Sequence, residues 1–256
     1  MNEPDALRQR VWSDLRRVAR PDSRFHWDFS AFIPDFEGSE ACAAAVQALA
    51  VYRQAQVVCA TPDNGLAEFR QRCLADGKTL IVPTYALGRG FWQLAPQAVP
   101  PDQQAFAATL DGLERFGQPY ELEAVPLSVC PTLLVTGASV INTEGVRISA
   151  DPSYFDLEWL ILRSLELVTA QTPIVTIVHD CQVVEWPCAP RPISTITDFI
   201  VTPSRVLEVG PRYPKPDRLA WDELAWDVIR EVPLLKALYE RDHAGPARSR
   251  SQAPLR

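Results

Sequence analysis

No apolar run in the 256 residues approaches the 18 needed for a membrane-spanning helix. The opening residues Met1-Asn2-Glu3-Pro4-Asp5 are acidic and lack a hydrophobic segment, so no secretory signal is expected. Cysteine is sparse. The six present form no Cys-x-x-Cys pair, and the spacing of Cys181 and Cys188 fits no common metal site. Cys59 and Cys130 stand beside apolar runs, which reads as buried, reduced thiols and a cytoplasmic chain rather than a disulfide scaffold. Histidine is scarcer still, with three residues: His26, His179 and His243. Internal repeats and low-complexity blocks are missing as well.

Basic charge is short in the body of the chain. The total is −7, but Arg241 to Arg256 hold four arginines and one aspartate, a balance of +3 that leaves −10 on the remainder. A body this acidic argues against a nucleic-acid partner, because affinity for phosphate backbones rests on lysine and arginine. The last residues, with Gly245-Pro246 and Ser249-Arg250-Ser251, read as a disordered basic tail over 241–256 behind one domain spanning 1–240.

What is present is a regular alternation of helical and strand patterns. Leu7, Val11, Leu15 and Val18 recur at helical spacing over 5–19, an alanine-rich helix covers 38–51, and another helix ends at the Asp76-Gly77 cap. Apolar strands are predicted at 56–60, 78–83, 132–136, 173–178 and 199–202. Helices are predicted at about 154–169, starting from Asp151 as N-cap with Pro152 behind it, and as two short pieces over 221–239 broken near Pro233. Strands too apolar to alternate, separated by helices, predict an α/β fold: a three-layer, doubly wound, mostly parallel sheet. Ligands in such sheets sit beyond the carboxyl ends of strands. That directs attention to the loops 61–65, 83–90, 137–153 and 179–192, with Asp63, Tyr85, Trp92, Tyr154 and Phe155 as candidate substrate contacts.

Gly145-Val146-Arg147-Ile148, followed in register by Tyr154-Phe155-Asp156, resembles the signature Gly-x-Arg-Leu-Gly-x-Gly-x-Gly-Tyr-Tyr-Asp of the 5-formyltetrahydrofolate cyclo-ligase (methenyltetrahydrofolate synthetase) family. Ile33-Pro34-Asp35-Phe36-Glu37-Gly38, His179-Asp180-Cys181-Gln182-Val183 and Ile200-Val201-Thr202-Pro203-Ser204-Arg205 are similar to its divergent methenyltetrahydrofolate synthetase domain-containing branch. The resemblance covers roughly residues 6–238. It implies the NagB/RpiA/CoA transferase-like architecture and a reaction in which ATP and magnesium activate a formyl oxygen for ring closure to a 5,10-methenyl product. It also implies Asp156 as the residue near the metal and Arg147 as the arginine beside the phosphate loop.

The chain departs from that pattern where phosphates would bind. Ser149, Asp151 and Ser153 stand in place of the three loop glycines, Ala150 and Pro152 lie between them, and Arg8 lacks the lysine usually found four residues earlier. Side chains there obstruct the close backbone approach a triphosphate needs, and Asp151 would repel it. The leading expectation is therefore a diverged enzyme acting without ATP on a small heterocyclic or amide-bearing molecule, by cyclisation, dehydration, hydrolysis or isomerisation. In that reading His179 and Asp180 carry protons and Arg147 holds an anionic group. The family's ATP- and Mg-dependent ligation, with Arg89 replacing lost loop contacts, and a non-catalytic folate-binding protein are the alternatives. Oligomeric state is left open.

Overall fold

A computed structural model describes residues 3–22, 26–122, 125–148 and 153–244. Helices are α1 (Glu3–Leu15), α2 (Ser39–Ala48), α3 (Ala50–Gln54), α4 (Ala67–Ala75), α5 (Gln104–Ala107), α6 (Leu110–Phe116), α7 (Tyr154–Ser164), α8 (Trp226–Glu231) and α9 (Pro233–His243). Strands are β1 (Val57–Ala60), β2 (Thr79–Pro83), β3 (Phe91–Leu94), β4 (Gln118–Pro119), β5 (Leu133–Thr136), β6 (Ile141–Asn142), β7 (Ile174–Ile177), β8 (Val183–Val184), β9 (Phe199–Val201) and β10 (Val206–Glu208). Eight of them form one sheet in the order β10-β9-β7-β5-β1-β2-β3-β4, and β6 and β8 form a parallel pair of their own.

The five strands from β9 to β2 are mutually parallel, and the remaining three, on the two flanks, are antiparallel. The central strands are buried on both faces because their side chains alternate between two helical layers. Val57 and Cys59 join the core beneath α7, α8 and α9, while Val58 and Ala60 join the core beneath α2, α3 and α4. Trp159 anchors the first layer, fully buried, with its indole N–H donating to the Pro216 carbonyl at 2.7 Å. Among the described residues no helix is long and apolar enough to cross a membrane.

Several boundaries differ from the sequence reading. The alanine-rich helix is broken at Leu49, whose extended backbone separates α2 from α3. Helix α7 is capped by Ser153, not by Asp151: the Ser153 hydroxyl accepts from the Asp156 amide. It ends at Ser164, ahead of the left-handed Glu166 (φ 57°), five residues short of the expected end. Of the tail expected over 241–256, Arg241 to His243 complete the last turn of α9, and 245–256 lie outside the described residues. Ser149, Ala150, Asp151 and Pro152 also lie outside them.

The chain winds from β1 to β2 on one side and then returns to β5 on the other side of β1. The strand order therefore reverses between β1 and β5, and the carboxyl ends of these two strands define the crevice.

Candidate functional site

A cavity of about 320 Å³ opens at that reversal. Its floor is built by Thr61 to Asn64 after β1 and by Thr136 to Ser139 at the end of β5; α1 supplies Arg8 and Trp12, and α7 supplies Tyr154, Phe155 and Glu158. Phe29, Phe32, Ile33, Tyr85 and Ala86 close the rim. Most of the wall is apolar or aromatic with a few polar groups, the usual make-up of a small-molecule site.

Each polar group is held by its own local structure. Asp63 bends back over the switch point: its Oδ2 accepts from the Gly137 amide at 2.9 Å and from the Thr61 hydroxyl, tying the two strand ends together. Behind it the buried Arg70 donates to the carbonyls of Thr61 (2.6 Å), Asp63 (2.9 Å) and Ala108 (2.8 Å). Burial pushes Asp63 above the usual carboxylate range, with the bonds from Thr61 and Gly137 pulling the other way. Burial lowers Arg70 to about 10. Gly137 must lack a side chain, since a Cβ there would sit 2.9 Å from both Asp63 Oδ2 and Ile33 Cγ2.

Arg147 projects from a tight turn that begins in β6. Asn142 folds its side chain to accept from the Val146 amide at 2.9 Å, and Gly145 takes φ +79° where a Cβ would meet the Thr197 carbonyl at 2.7 Å. The guanidinium lies 4.5 Å from the Phe155 ring centroid and its Nη2 pairs with Asp156 Oδ1. Asp156 is held by three protein donors. Its Oδ1 also accepts from the Thr195 amide at 2.8 Å, and Oδ2 accepts from the Ser153 hydroxyl at 2.7 Å. Three of the roughly four acceptor sites of the carboxylate thus serve protein donors, and one on Oδ2 stays open. Among the described residues no cluster of three or more histidine, cysteine, aspartate or glutamate side chains is arranged to hold an ion.

Glu158 is the site residue that sequence reading missed. Helical spacing places it one turn beyond Tyr154 and Phe155 on the same face of α7. It is 3% exposed, lines the cavity, and its Oε2 has no hydrogen-bond partner. Burial, reinforced by the neighbouring Asp63 and opposed by Arg147, holds it well above the ordinary range. The only signal in the sequence was a glutamate amid an apolar helix face.

Of the predicted contacts, Arg8, Asp63, Tyr85, Arg147, Ser153, Tyr154 and Phe155 line this cavity. Trp92 and Arg89 do not. Trp92 sits on β3 with the Arg89 guanidinium 5.3 Å from its ring, and Arg89 is itself paired with Glu114. His179 and Asp180 are also outside the lining. The His179 Nδ1 accepts from the Cys181 amide at 3.2 Å, its ring packs edge-on against Phe36, and its amide donates to Gln182 Oε1 at 2.8 Å. Gln182 in turn donates to the carbonyls of Ala138 (2.6 Å) and Ser139 (3.2 Å). This segment therefore braces the floor from behind. Asp180 accepts from Thr202 at 2.6 Å and from Ser204; these bonds outweigh partial burial and leave it below its usual range.

A doubly wound α/β sheet with an apolar, carboxyl-bearing cavity at its switch point is the arrangement in which open α/β folds commonly hold small molecules. The chain belongs to the 5-formyltetrahydrofolate cyclo-ligase family, whose family model matches residues 1–202. It is 32% identical over 239 residues to the methenyltetrahydrofolate synthase domain-containing protein of Homo sapiens, covering 92% of this chain and 61% of that protein. The Mus musculus protein of that name is 32% identical over 240 residues, covering 93% and 63%. The chain thus spans about three-fifths of the length of these curated relatives. Among solved structures, the Aquifex aeolicus 5,10-methenyltetrahydrofolate synthetase aligns with a TM-score of 0.49 at 19% identity, covering 83% of this chain and 96% of that one.

Proposed function

We propose that the chain is a cyclo-ligase-family enzyme of the cytoplasm that transforms a small heterocyclic or amide-bearing molecule in the cavity between β1 and β5, without consuming ATP. The observation that carries this reading is the charge of the cavity wall. Phosphoryl transfer needs cations to neutralise the transferring group. Here Arg147 is neutralised by Asp156 and Arg8 is paired with Asp5, while Asp63 and Glu158 face the same space. Ser153 also takes one of the first amides of α7, in a position where the family signature has glycine. A triphosphate would meet carboxyls rather than free guanidinium groups and bare backbone.

In this reading Arg147 holds an acceptor group of the substrate, Asp63 and Glu158 supply hydrogen-bonding and proton-transfer capacity, and Tyr85, Tyr154 and Phe155 flank a flat ring. This reading assigns to Glu158, which lines the cavity, the acid/base role that sequence alone assigns to His179 and Asp180. The test is to incubate the protein with 5-formyltetrahydrofolate, with and without ATP and magnesium, while following the methenyl chromophore and phosphate release. ATP binding is measured separately by calorimetry. Turnover indifferent to ATP, with no ATP binding by calorimetry, is expected. Turnover that depends on ATP, with one phosphate released per product, would show the family's ligase reaction instead; binding with no turnover of any folate would show a non-catalytic binder.

A further inference from the structure

One side of the cavity rim is a strap, residues 26–33, that carries its own packing. Trp27 meets Phe29 edge-on at 6.0 Å between ring centroids, and Phe29 meets Phe32 at 5.7 Å. Its turns are closed by its own groups: the Phe29 amide donates to the Trp27 carbonyl at 3.1 Å, the Ala31 amide to the Asp28 carbonyl at 3.0 Å, and the Ser30 amide to Asp28 Oδ1 at 3.0 Å. A surface segment packed by its own side chains can move as a unit, because the bonds within it survive the motion.

Two long hydrogen bonds tie the strap across the rim. The Tyr85 hydroxyl donates to the Ala31 carbonyl at 3.3 Å, and the Asn64 amide donates to the Ile33 carbonyl at 3.3 Å. Both exceed the usual span of about 2.7–3.2 Å, so both are weak. At the start of the strap His26 (φ 50°) and Trp27 (φ 75°) are consecutive left-handed residues without being glycine. Backbone strain of this kind collects at clamps and switch segments. At the other end Ile33 runs through Pro34 to Phe36, which is fully buried. The strap therefore has a strained end and an anchored end.

Its surroundings are fixed. Thr84 closes the base of the Tyr85 loop, its amide donating to the Gly90 carbonyl at 2.9 Å, and Leu87 in that loop is fully buried. Trp12 is pinned by its bond to Ser139. Phe29 and Ser30 of the strap, together with Trp12, line both the cavity and a second hollow of about 440 Å³ between α1 and residues 27–30. These three side chains are the partition between the two spaces.

We infer that residues 26–33 are a gate. Hinged at His26 and Trp27 and latched by the Tyr85 hydroxyl on the Ala31 carbonyl, the strap swings to join the outer hollow to the cavity and so controls access to it. This rests on the reading that the cavity is the ligand site, and goes beyond it by naming the way in and the residues that hold it shut. Opening of such a segment sets how fast a ligand enters and leaves.

The test needs no ligand: amide hydrogen exchange of the full chain followed by NMR. The Asn64 amide lies on the fixed side and is covered by the strap's Ile33 carbonyl, whereas the Leu134 amide, donating to Pro173 at 3.0 Å in the central sheet, reports global unfolding. Asn64 exchange should ignore low urea, and Leu134 exchange should accelerate with it. Val58→Ala, at a fully buried position of β1, should speed Leu134 by about 10-fold or more and leave Asn64 unchanged, because the open gate keeps that core. Ile174→Val serves as the milder core variant if Val58→Ala does not fold. Tyr85→Phe should speed Asn64 about 2- to 10-fold by removing one weak hydrogen bond, and His26→Gly should slow it about 2- to 10-fold by relaxing the hinge. Access is read with Thr61→Cys, at a position that is 4% exposed on the cavity floor, labelled by iodoacetamide with the site resolved by mass spectrometry. Its labelling should rise in the Tyr85→Phe background and fall in the His26→Gly background. Asn64 exchange that follows Leu134 in urea and in the core variant, or that does not respond to Tyr85→Phe, would overturn the gate. Labelling indifferent to both backgrounds would overturn its control of access. None of these readouts involves turnover or a bound folate, so they stay separable from failure of the proposed function.

Discussion

Replacing Arg147 by methionine removes the cationic half of a buried ion pair while keeping a chain of similar length. Breaking such a pair from one side costs about 3–5 kcal/mol, because a buried charge is left uncompensated. Asp156 retains the Thr195 amide and the Ser153 hydroxyl, so the low end of that range applies, about 3 kcal/mol. The contact of the guanidinium with Phe155 is lost as well, which keeps the cost from falling below that value. For a chain of this size each kcal/mol lowers the melting temperature by about 2–4 °C, so Arg147→Met should melt roughly 6–12 °C lower. Asp156→Asn introduced into the same protein should recover part of the loss, since the orphaned charge is then gone. Urea unfolding of the two single variants and the double variant closes the cycle. A loss below about 1 kcal/mol in Arg147→Met, or strict additivity in the double variant, would refute the buried-pair reasoning.

Further expectations are as direct. Glu158 has a folded-state pKa above its unfolded value, so the stability it contributes is complete below the unfolded pKa, about 4.3, and is lost as pH rises toward the folded value. Glu158→Gln should therefore gain stability relative to the parent progressively as pH rises above about 5, and a urea midpoint difference that does not change with pH would contradict this. Gly137→Ala should destabilise by about 1–3 kcal/mol and weaken ligand binding, because the new Cβ displaces Asp63 or Ile33; calorimetry and thermal melting both report it. Trp12→Phe removes the indole N–H that donates to the Ser139 hydroxyl at 2.7 Å and should cost about 1 kcal/mol, measured by urea unfolding. Burial raises the Cys42 and Cys73 thiols to about 12 and Cys181 to about 11, so a thiol reagent near neutral pH should modify them far more slowly than the unfolded chain.

The parallel core of the sheet was legible because strands buried on both faces leave continuous apolar runs, as in Val57-Val58-Cys59-Ala60 and Ile174-Val175-Thr176-Ile177. The flanking strands were not. β3, β4 and β10 are short, only partly buried or exposed, and held by pairing with neighbours the sequence does not identify. Arg147 was visible through its place in a family signature, as were Tyr154 and Phe155. Glu158 was not, because nothing in a linear reading of Asp156-Leu157-Glu158-Trp159 says that this acid points inward beside Asp63, about a hundred residues away in the chain. His179 follows an apolar strand as expected, but it lies outside the cavity lining and its Nδ1 accepts from the backbone of its own turn.

The sequence by itself determined the layers, the winding of the chain and the family, since each follows from local periodicity, strand–helix order or a contiguous signature. Tertiary structure alone decided which charges are spent and which are free. Asp156 and Arg147 satisfy each other, and Glu158 is left facing the cavity, because pairing between side chains depends on distances that only the closed fold sets.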